Sequence, residues 1–428
     1  MGRLLTSSLR SILICFVFLY SISFCSPRSG KAETVYHHSK NAVYQIRVID
    51  SSTKEKVVIG SGFRFSSDGY IATNYHVVSK VVLHPDRYSI ECIHEDGRKE
   101  ELALIDTNVV HDLAILKSSL GEISYLKLLG TFMPKGKRIY SMGNPRDLGM
   151  TIVEGNYNGL IEESMYKKIL FSGALNPGMS GGPAFDVDGN VIGINVSTYG
   201  QQLSFFVPVN YLQTLYQDIL KRKGLAVKDW NKRILAQVIK HQEQQINELL
   251  SKEWNTVIIG EIEVPGQIDK IFKCWAETED KDDSNFKRSY YYGSSRDLLY
   301  LDKDLLTGRI EFSYLWFEGK KISSLHFYNI FSRFFQPYKK IFHSKKKDVN
   351  NFKTKQSFVR INGSDWKISF STREYKKFKN LYEVYVTMAS VSEKKKGINI
   401  HLSLLGVSEI NAVRFVERFM ETISWQNS

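Results

Sequence analysis

Residues 176–185 read NPGMSGGPAF, with one serine, Ser180, among Gly178, Gly181, Gly182 and Pro183. Glycines let a backbone pass close to a neighbour and take conformations closed to other residues. A serine in such a setting is either presented for chemistry, with backbone N–H groups around it, or part of a surface turn. The ten residues leave both readings open. A nucleophilic serine needs a base to take its proton and an acid to orient that base, so the rest of the chain decides.

Outward from this stretch the pattern is all-β. Between Val35 and Val209 short apolar runs alternate with turn signals: AVYQIRVI, KVVIGSGFRF, then Ser-Asp-Gly at 67–69, YIATNYHVV, YSIECI, Glu-Asp-Gly at 95–97, LAILK, RIYSMG, KILFSG and VIGINV. Short runs punctuated in this way indicate a sandwich or a barrel. No strand-then-helix alternation occurs, which argues against a parallel α/β fold.

Two further side chains supply the missing chemistry. His76 follows a run of small and polar residues in TNYHVV, where a side chain can be turned toward a cleft. Asp112 opens the apolar run HDLAILK, as a turn cap or as a buried partner. The order is His76, Asp112, Ser180 within one all-β region, the order of the chymotrypsin-like triad. Here the chain resembles a trypsin-fold (chymotrypsin-like) serine peptidase of the HtrA/Deg type. The resemblance rests on GSGF at 60–63, DGYIATNYHVV at 68–78, HDLAILK, GKRIYSMGNP at 136–145, LNPGMSGGPAF at 175–185, DGNVIGIN at 188–195 and LSFFVPVN at 203–210. It implies a double six-stranded β-barrel with the site between the barrels. Ser180 would attack the peptide carbonyl, His76 would shuttle the proton and Asp112 would hold the imidazole. By the same resemblance the N–H groups of Gly178 and Ser180 form the oxyanion hole. The backbone of Leu203, Ser204 and Phe205 pairs with substrate, and Phe206 narrows the specificity pocket. Two departures stand out: Met179 replaces the asparagine usual before the nucleophile, and no PDZ carboxylate-binding loop follows.

The rest of the chain bounds the setting. Its 428 residues suffice for two or three domains. Of the net charge of +13, residues 1–220 carry +1 and residues 221–428 carry +12. The basic half, with Lys339, Lys340, Lys345, Lys346, Lys347, Lys353 and Lys355 in one segment and Lys394-Lys395-Lys396 in another, offers an anionic surface a partner or is a solvated face. Arg3 and Arg10 before the apolar run from Ile12 to Tyr20, then Ser21, Ser23 and Ser26, read as a secretory signal over residues 1–26. Cys25 leaves lipidation open. The protein is expected to be exported, periplasmic or secreted, with an N-terminal membrane anchor as the lesser alternative. Only Cys92 and Cys274 lie clear of the signal, so no disulfide framework is expected.

The expected organisation is a trypsin-like all-β double β-barrel protease domain over residues 34–222, a helical linker over 223–253 and a separate α+β domain over 254–428. Asn210 is the expected cap of a helix carrying Leu212, Leu215, Tyr216, Ile219 and Leu220 on one face. Asn362-Gly363 between two strand-like runs predicts a hairpin, and Ser408 a cap for the last helix. No cofactor or metal site is expected: there is no CxxC or HExxH cluster, phosphate loop or dinucleotide fingerprint. The predicted function is serine endopeptidase, in envelope protein quality control, on protein or peptide substrates and with no nucleic-acid partner. The alternative is a catalytically silent protease fold acting as a scaffold, with the basic C-terminal part holding an anionic envelope partner.

Overall fold

The computed structural model describes residues 30–121, 124–130, 133–199, 202–279, 285–336, 344–391 and 395–426. The expected signal at 1–26, with Cys25, and the basic residues Lys339, Lys340 and Lys394 lie outside the described residues. A helix α1 (Lys31–Ser39) leads into a first closed antiparallel barrel. Its strands are β1 (Val43–Asp50), β2 (Lys56–Arg64), β3 (Tyr70–Thr73), β4 (Tyr88–Ile93), β5 (Lys99–Asn108) and β6 (Leu113–Lys117), in the order β1-β2-β3-β6-β5-β4. The second closed barrel holds β7 (Arg138–Gly143), β8 (Thr151–Leu160), β9 (Ile169–Phe171), β10 (Pro183–Phe185), β11 (Val191–Tyr199) and β12 (Leu203–Pro208), in the order β10-β11-β12-β9-β8-β7. Period-two burial is clean in β4, where Tyr88, Ile90 and Cys92 face inward and their neighbours do not. The double barrel expected from the resemblance is therefore present.

One run departs from its strand-like appearance. YIATNYHVV is a strand only to Thr73; Asn74 turns the chain, and Tyr75–Leu83 form helix α2. Tyr75, Val78, Ser79 and Val82 recur at helical spacing and are buried. His76 thus stands on the first turn of a helix rather than at a strand end.

The two barrels share a core. Phe63, Phe65 and Tyr70 of the first meet Tyr140, Met142, Phe185 and Ile194 of the second, and helix α3 (Val209–Lys221) seals the seam with Leu212, Leu215 and Ile219. Each such side chain contributes about 2 kcal/mol by burial. Asn210 is not the cap of α3: the cap position is two residues earlier, at Pro208 with φ −56°, and Asn210 is exposed. Leu220 is 43% exposed, so the apolar face is narrower than its periodicity implied.

Helix α4 (Trp230–Leu250) is capped by Asp229, whose carboxylate accepts from Lys232 N–H at 2.9 Å. It serves two cores. Ile234 and Val238 pack with the first barrel, whereas Ile246 and Leu249 pack with the C-terminal sheet. That region contains β13 (Thr256–Ile259), β14 (Ile262–Pro265), β15 (Phe272–Glu279), β16 (Phe286–Ser295), β17 (Leu299–Asp302), β18 (Leu305–Thr307), β19 (Ile310–Gly319), helix α5 (Ser324–Arg333), β20 (Lys353–Ile361), β21 (Ser364–Glu374), β22 (Tyr382–Ser390), β23 (Lys396–Val407), helix α6 (Glu409–Glu421) and β24 (Ser424–Trp425). Seven strands form one antiparallel sheet, ordered β15-β16-β19-β23-β22-β21-β20. Asn362 and Gly363 make the expected hairpin turn with φ of 44° and 82°. Ser408 caps α6 as expected, through Asn411 N–H at 3.4 Å.

The C-terminal region has its own core, and part of it also packs on the first barrel. Leu299, Leu301 and Leu305 of the β17–β18 hairpin, with Tyr375, Phe378 and Leu381, join Tyr44, Tyr75, Val78 and Val82 in one cluster. Tyr75 Oη donates to Leu301 O at 2.7 Å. The buried Asp106 carboxylate accepts from Arg222 at 2.7 Å and from Arg233 Nε and one terminal nitrogen at 3.0 and 2.9 Å. Among the described residues no helix is long and apolar enough to cross a membrane.

Candidate active site

His76 and Asp112 meet at two points. The His76 main-chain N–H donates to Asp112 Oδ1 at 2.8 Å, and Nδ1 lies 2.6 Å from Oδ2. The second bond places the neutral ring's proton on Nδ1 and leaves the Nε2 lone pair for a partner. Asp112 sits in the tight turn before β6 with φ of 54°, a conformation few non-glycine residues adopt. Asn74 steadies it, donating Nδ2–H to Asp112 O at 2.8 Å. Burial works against the imidazolium, but the charge and hydrogen bond of Asp112 outweigh it, so the His76 pKa is raised above its usual 6.5.

The Ser180 loop is clamped to both barrels. Ser61 N–H donates to Ser180 O at 2.7 Å, Ser61 Oγ–H to Gly178 O at 2.8 Å, and Gly181 N–H to Asn195 O at 2.9 Å. The approach is close enough to require glycine. A Cβ on Gly181, at φ 88°, would lie 2.2 Å from Ser61 O and 2.4 Å from Thr73 Oγ1. A Cβ on Gly178, at φ 100°, would lie 2.4 Å from Asn144 O. The loop thus abuts Thr73 and Asn74, the residues that lead into His76.

The loop also orients two donors. Arg146 N–H donates to Pro177 O at 2.9 Å, which turns the N–H of the same peptide, that of Gly178, the opposite way. Asp147 anchors that side: it accepts from Gln45 at 2.7 Å, from Arg47 at 2.9 Å and from Lys56. Among the described residues, neither Gly178 N–H nor Ser180 N–H has an acceptor within the chain. Ser180 Oγ lies 3.4 Å from Val196 O and makes no bond to His76 in this conformation. The structure therefore joins His76 to Asp112 and brings the Ser180 loop beside them, with the serine hydroxyl turned to the main chain.

The residues expected to bind substrate need correction. β12 has partners on both sides: Ser204, Phe205 and Phe206 pair with Phe171, Leu170 and Ile169 of β9, and with Thr198, Ser197 and Asn195 of β11. It has no edge at 204–206 for a peptide to join. Leu203 pairs with Tyr199 at the strand's exposed end. Phe206 is fully buried against Phe171 in the second barrel's core, so it does not narrow a pocket. Ser204 is buried too, accepting from Leu175 N–H at 3.1 Å and donating to Gly173 O at 2.7 Å. The available edge is one strand over: β10 pairs with β11 only to Ile194, and β11 continues to Tyr199. The signal for this was topological. Nothing in LSFFVP distinguishes an interior strand from an edge. Met179 is fully buried in the same core as Phe206, which explains an apolar residue before Ser180.

The sequence reading missed an aromatic cluster beside Asp112. The His111 ring stacks on Tyr211 at 3.7 Å and meets the edge of Tyr166 at 4.5 Å. Burial, aided by His241 and Lys168, lowers the His111 pKa to about 3; burial likewise lowers that of His241 to about 4, and Tyr166 Oη lies 2.8 Å from His241 Nδ1. Both rings are neutral at physiological pH. Distance in sequence hid this group, which draws on 111, 166, 211 and 241.

Among the described residues one group could hold a metal, which the sequence reading did not expect. Cys92 Sγ, His94 Nε2 and Glu100 Oε2 lie within 4.8 Å of one another in the first barrel. The three also satisfy one another: His94 and Glu100 bond at 3.2 Å, and Ser118, Ser119 and Leu120 hold the other Glu100 oxygen. Cys92 and Cys274 are both free thiols.

Residues 60–194 match the trypsin-like peptidase domain family, and this stretch of the chain is such a domain. The chain is 32% identical over 185 residues to a probable periplasmic serine endoprotease DegP-like from Bartonella henselae, covering 41% of this chain and 35% of that protein. It is 33% identical over 187 residues to a namesake from Pseudomonas fulva, covering 41% and 38%. The chain thus spans little more than a third of the length of these curated relatives. A solved serine endoprotease from Yersinia pestis aligns with 44% of this chain and 66% of its own, at 23% identity and a TM-score of 0.40.

Proposed function

We propose that the protein is an exported serine endopeptidase, acting on protein or peptide substrates by a Ser180–His76–Asp112 triad. The observation that carries this is the two-point contact of His76 with Asp112 beside a loop that holds Ser180 and two main-chain donors without acceptors. A rotation of the Ser180 side chain from Val196 O toward His76 Nε2 completes the relay; such bonds are often unformed until substrate arrives. Ser180 Oγ then attacks the carbonyl carbon while His76 Nε2 takes its proton. Asp112 stabilises the imidazolium, and the N–H groups of Gly178 and Ser180 hold the oxyanion. The intermediate collapses as His76 protonates the leaving amine. Water, deprotonated by the same ring, then releases the acyl group. The substrate backbone joins the edge of β11 that starts at Val196. The DegP-like relatives named periplasmic, together with the signal-like N-terminus, support a role in the envelope, and we place it in protein quality control there.

A fluorophosphonate probe tests the reading. Wild-type protein should label and Ser180→Ala should not. Absence of labelling in folded wild type, with no cleavage of unfolded protein substrates, would overturn it in favour of a silent scaffold.

A further inference from the structure

The C-terminal region reaches the site itself. A cleft of about 550 Å³ opens on His76 and Asp112, runs past Val196 and is closed on its far side by the segment from Asp297 to Lys303. Its barrel-side lining includes Val109, Tyr166, Val207 and Tyr211. The far wall is rigidly held. Leu299 and Leu301 are buried against α2, Leu301 O accepts the Tyr75 hydroxyl, and Asp297 accepts from Ser164 Oγ at 2.6 Å and from Met165 N–H at 2.7 Å. Between Leu299 and Leu301, Tyr300 is 48% exposed and lines the same cleft. A half-exposed aromatic side chain on a segment held in this way is available to a ligand in the cleft.

We propose that Asp297–Lys303 forms the outer wall of a subsite for bulky apolar side chains of the peptide, with Tyr300 as its contact residue. The residues it takes precede the scissile bond, because a peptide lying antiparallel on β11, like every strand pairing in this barrel, runs toward Ser180 as it passes Val196. Specificity is thus divided between the barrels and a region outside them. The inference rests on the peptidase reading for its substrate, so two readouts separate the two ideas.

In the full-length protein, cleavage of a peptide library should favour Phe, Leu or Tyr over Gly at the second to fourth residues before the bond. Tyr300→Ala should reduce that preference about tenfold, the scale on which apolar pockets discriminate. It should leave the rate of fluorophosphonate labelling and the thermal midpoint unchanged. An unaltered preference in Tyr300→Ala, with labelling intact, would overturn the proposal. Should wild type fail to label, the peptidase reading falls, and binding decides this one. Fluorescent peptides with and without Phe before a central Ala-Ala would be titrated into Ser180→Ala and into the Ser180→Ala/Tyr300→Ala double variant. Tighter binding of the Phe peptide that depends on Tyr300 supports the subsite; equal binding overturns it.

Discussion

The two barrels and the C-terminal region are built to different rules, although both are mostly antiparallel sheet. In the barrels the glycines and polar residues of 172–182 have assigned neighbours: Gly181 abuts Ser61 and Thr73, and Ser204 holds Gly173 and Leu175. Function constrains the sequence there residue by residue. In the C-terminal sheet the comparable strands bury apolar rows such as Ile398, Ile400, Leu402 and Leu404, which many sequences could supply. The contrast teaches that motif density marks where chemistry is held, whereas a wall of the same cleft can come from a region with no motif at all.

The largest effect should fall wholly on the barrel side. Ser180→Ala should lower turnover by about 10⁶-fold, since loss of a nucleophile removes the whole relay. The thermal midpoint should not move, and steady-state hydrolysis of a casein-type substrate measures the loss. A residual rate within tenfold of wild type would mean that the chemistry is elsewhere.

Asp112→Asn should follow, at about 10⁴-fold, because an amide can direct the wrong imidazole tautomer. Its pH profile sharpens the point. The base must be neutral to work, and Asp112 raises the His76 pKa above 6.5. Wild-type kcat/KM should therefore fall as pH drops through a value above 6.5, and in Asp112→Asn that acid limb should move to lower pH. The stability linkage has the opposite sense: the His76 contribution is complete below pH 6.5 and is lost as pH rises through the raised folded value. Coincident acid limbs in the two proteins would break the argument.

The third prediction tests the join. Asp106 is fully buried and depends on Arg222 and Arg233, which follow the barrels in sequence. Replacing both arginines with Ala leaves an uncompensated buried carboxylate and should cost on the order of 3 kcal/mol. Urea midpoints would measure it. A protein truncated after residue 222 keeps Arg222 but loses Arg233, together with Ile234 and Val238 from the first barrel's core, and should be destabilised as well. A truncated barrel pair as stable as the full chain would support independent parts joined by a linker.

How far sequence reading reached follows from the same contrast. The pairing of His76 with Asp112, with the Ser180 loop beside them, was legible because those three residue types recur in one all-β region. The hairpin at Asn362-Gly363 and the cap at Ser408 were legible because both are local. The helical start at Tyr75 was hidden because Val77, Val78, Val81 and Val82 suit a strand equally well. The role of Ser204–Phe206 was misread because pairing on both sides of β12 is a property of strand order, set by β9, far away in sequence. The position of Leu299–Asp302 beside Tyr75 was invisible for the same reason: contacts separated by more than two hundred residues leave no local period.

The smallest predicted effect bears most directly on that last contact. Tyr75 is buried on α2, next to His76, and its hydroxyl donates to Leu301 O at 2.7 Å across the join. Tyr75→Phe keeps the ring and removes only this bond, which leaves one buried carbonyl without its donor. The stability loss should be about 1 kcal/mol, visible as a small shift in urea midpoint. If the hairpin merely covers the barrel, nothing else should change. If it is a wall of the cleft, loosening Leu301 lets Tyr300 move, so kcat/KM for peptides with an aromatic residue before the bond should fall severalfold while small-ester hydrolysis holds. Equal losses on both substrates would place the effect in α2 and His76, and would separate the hairpin from selection of the peptide.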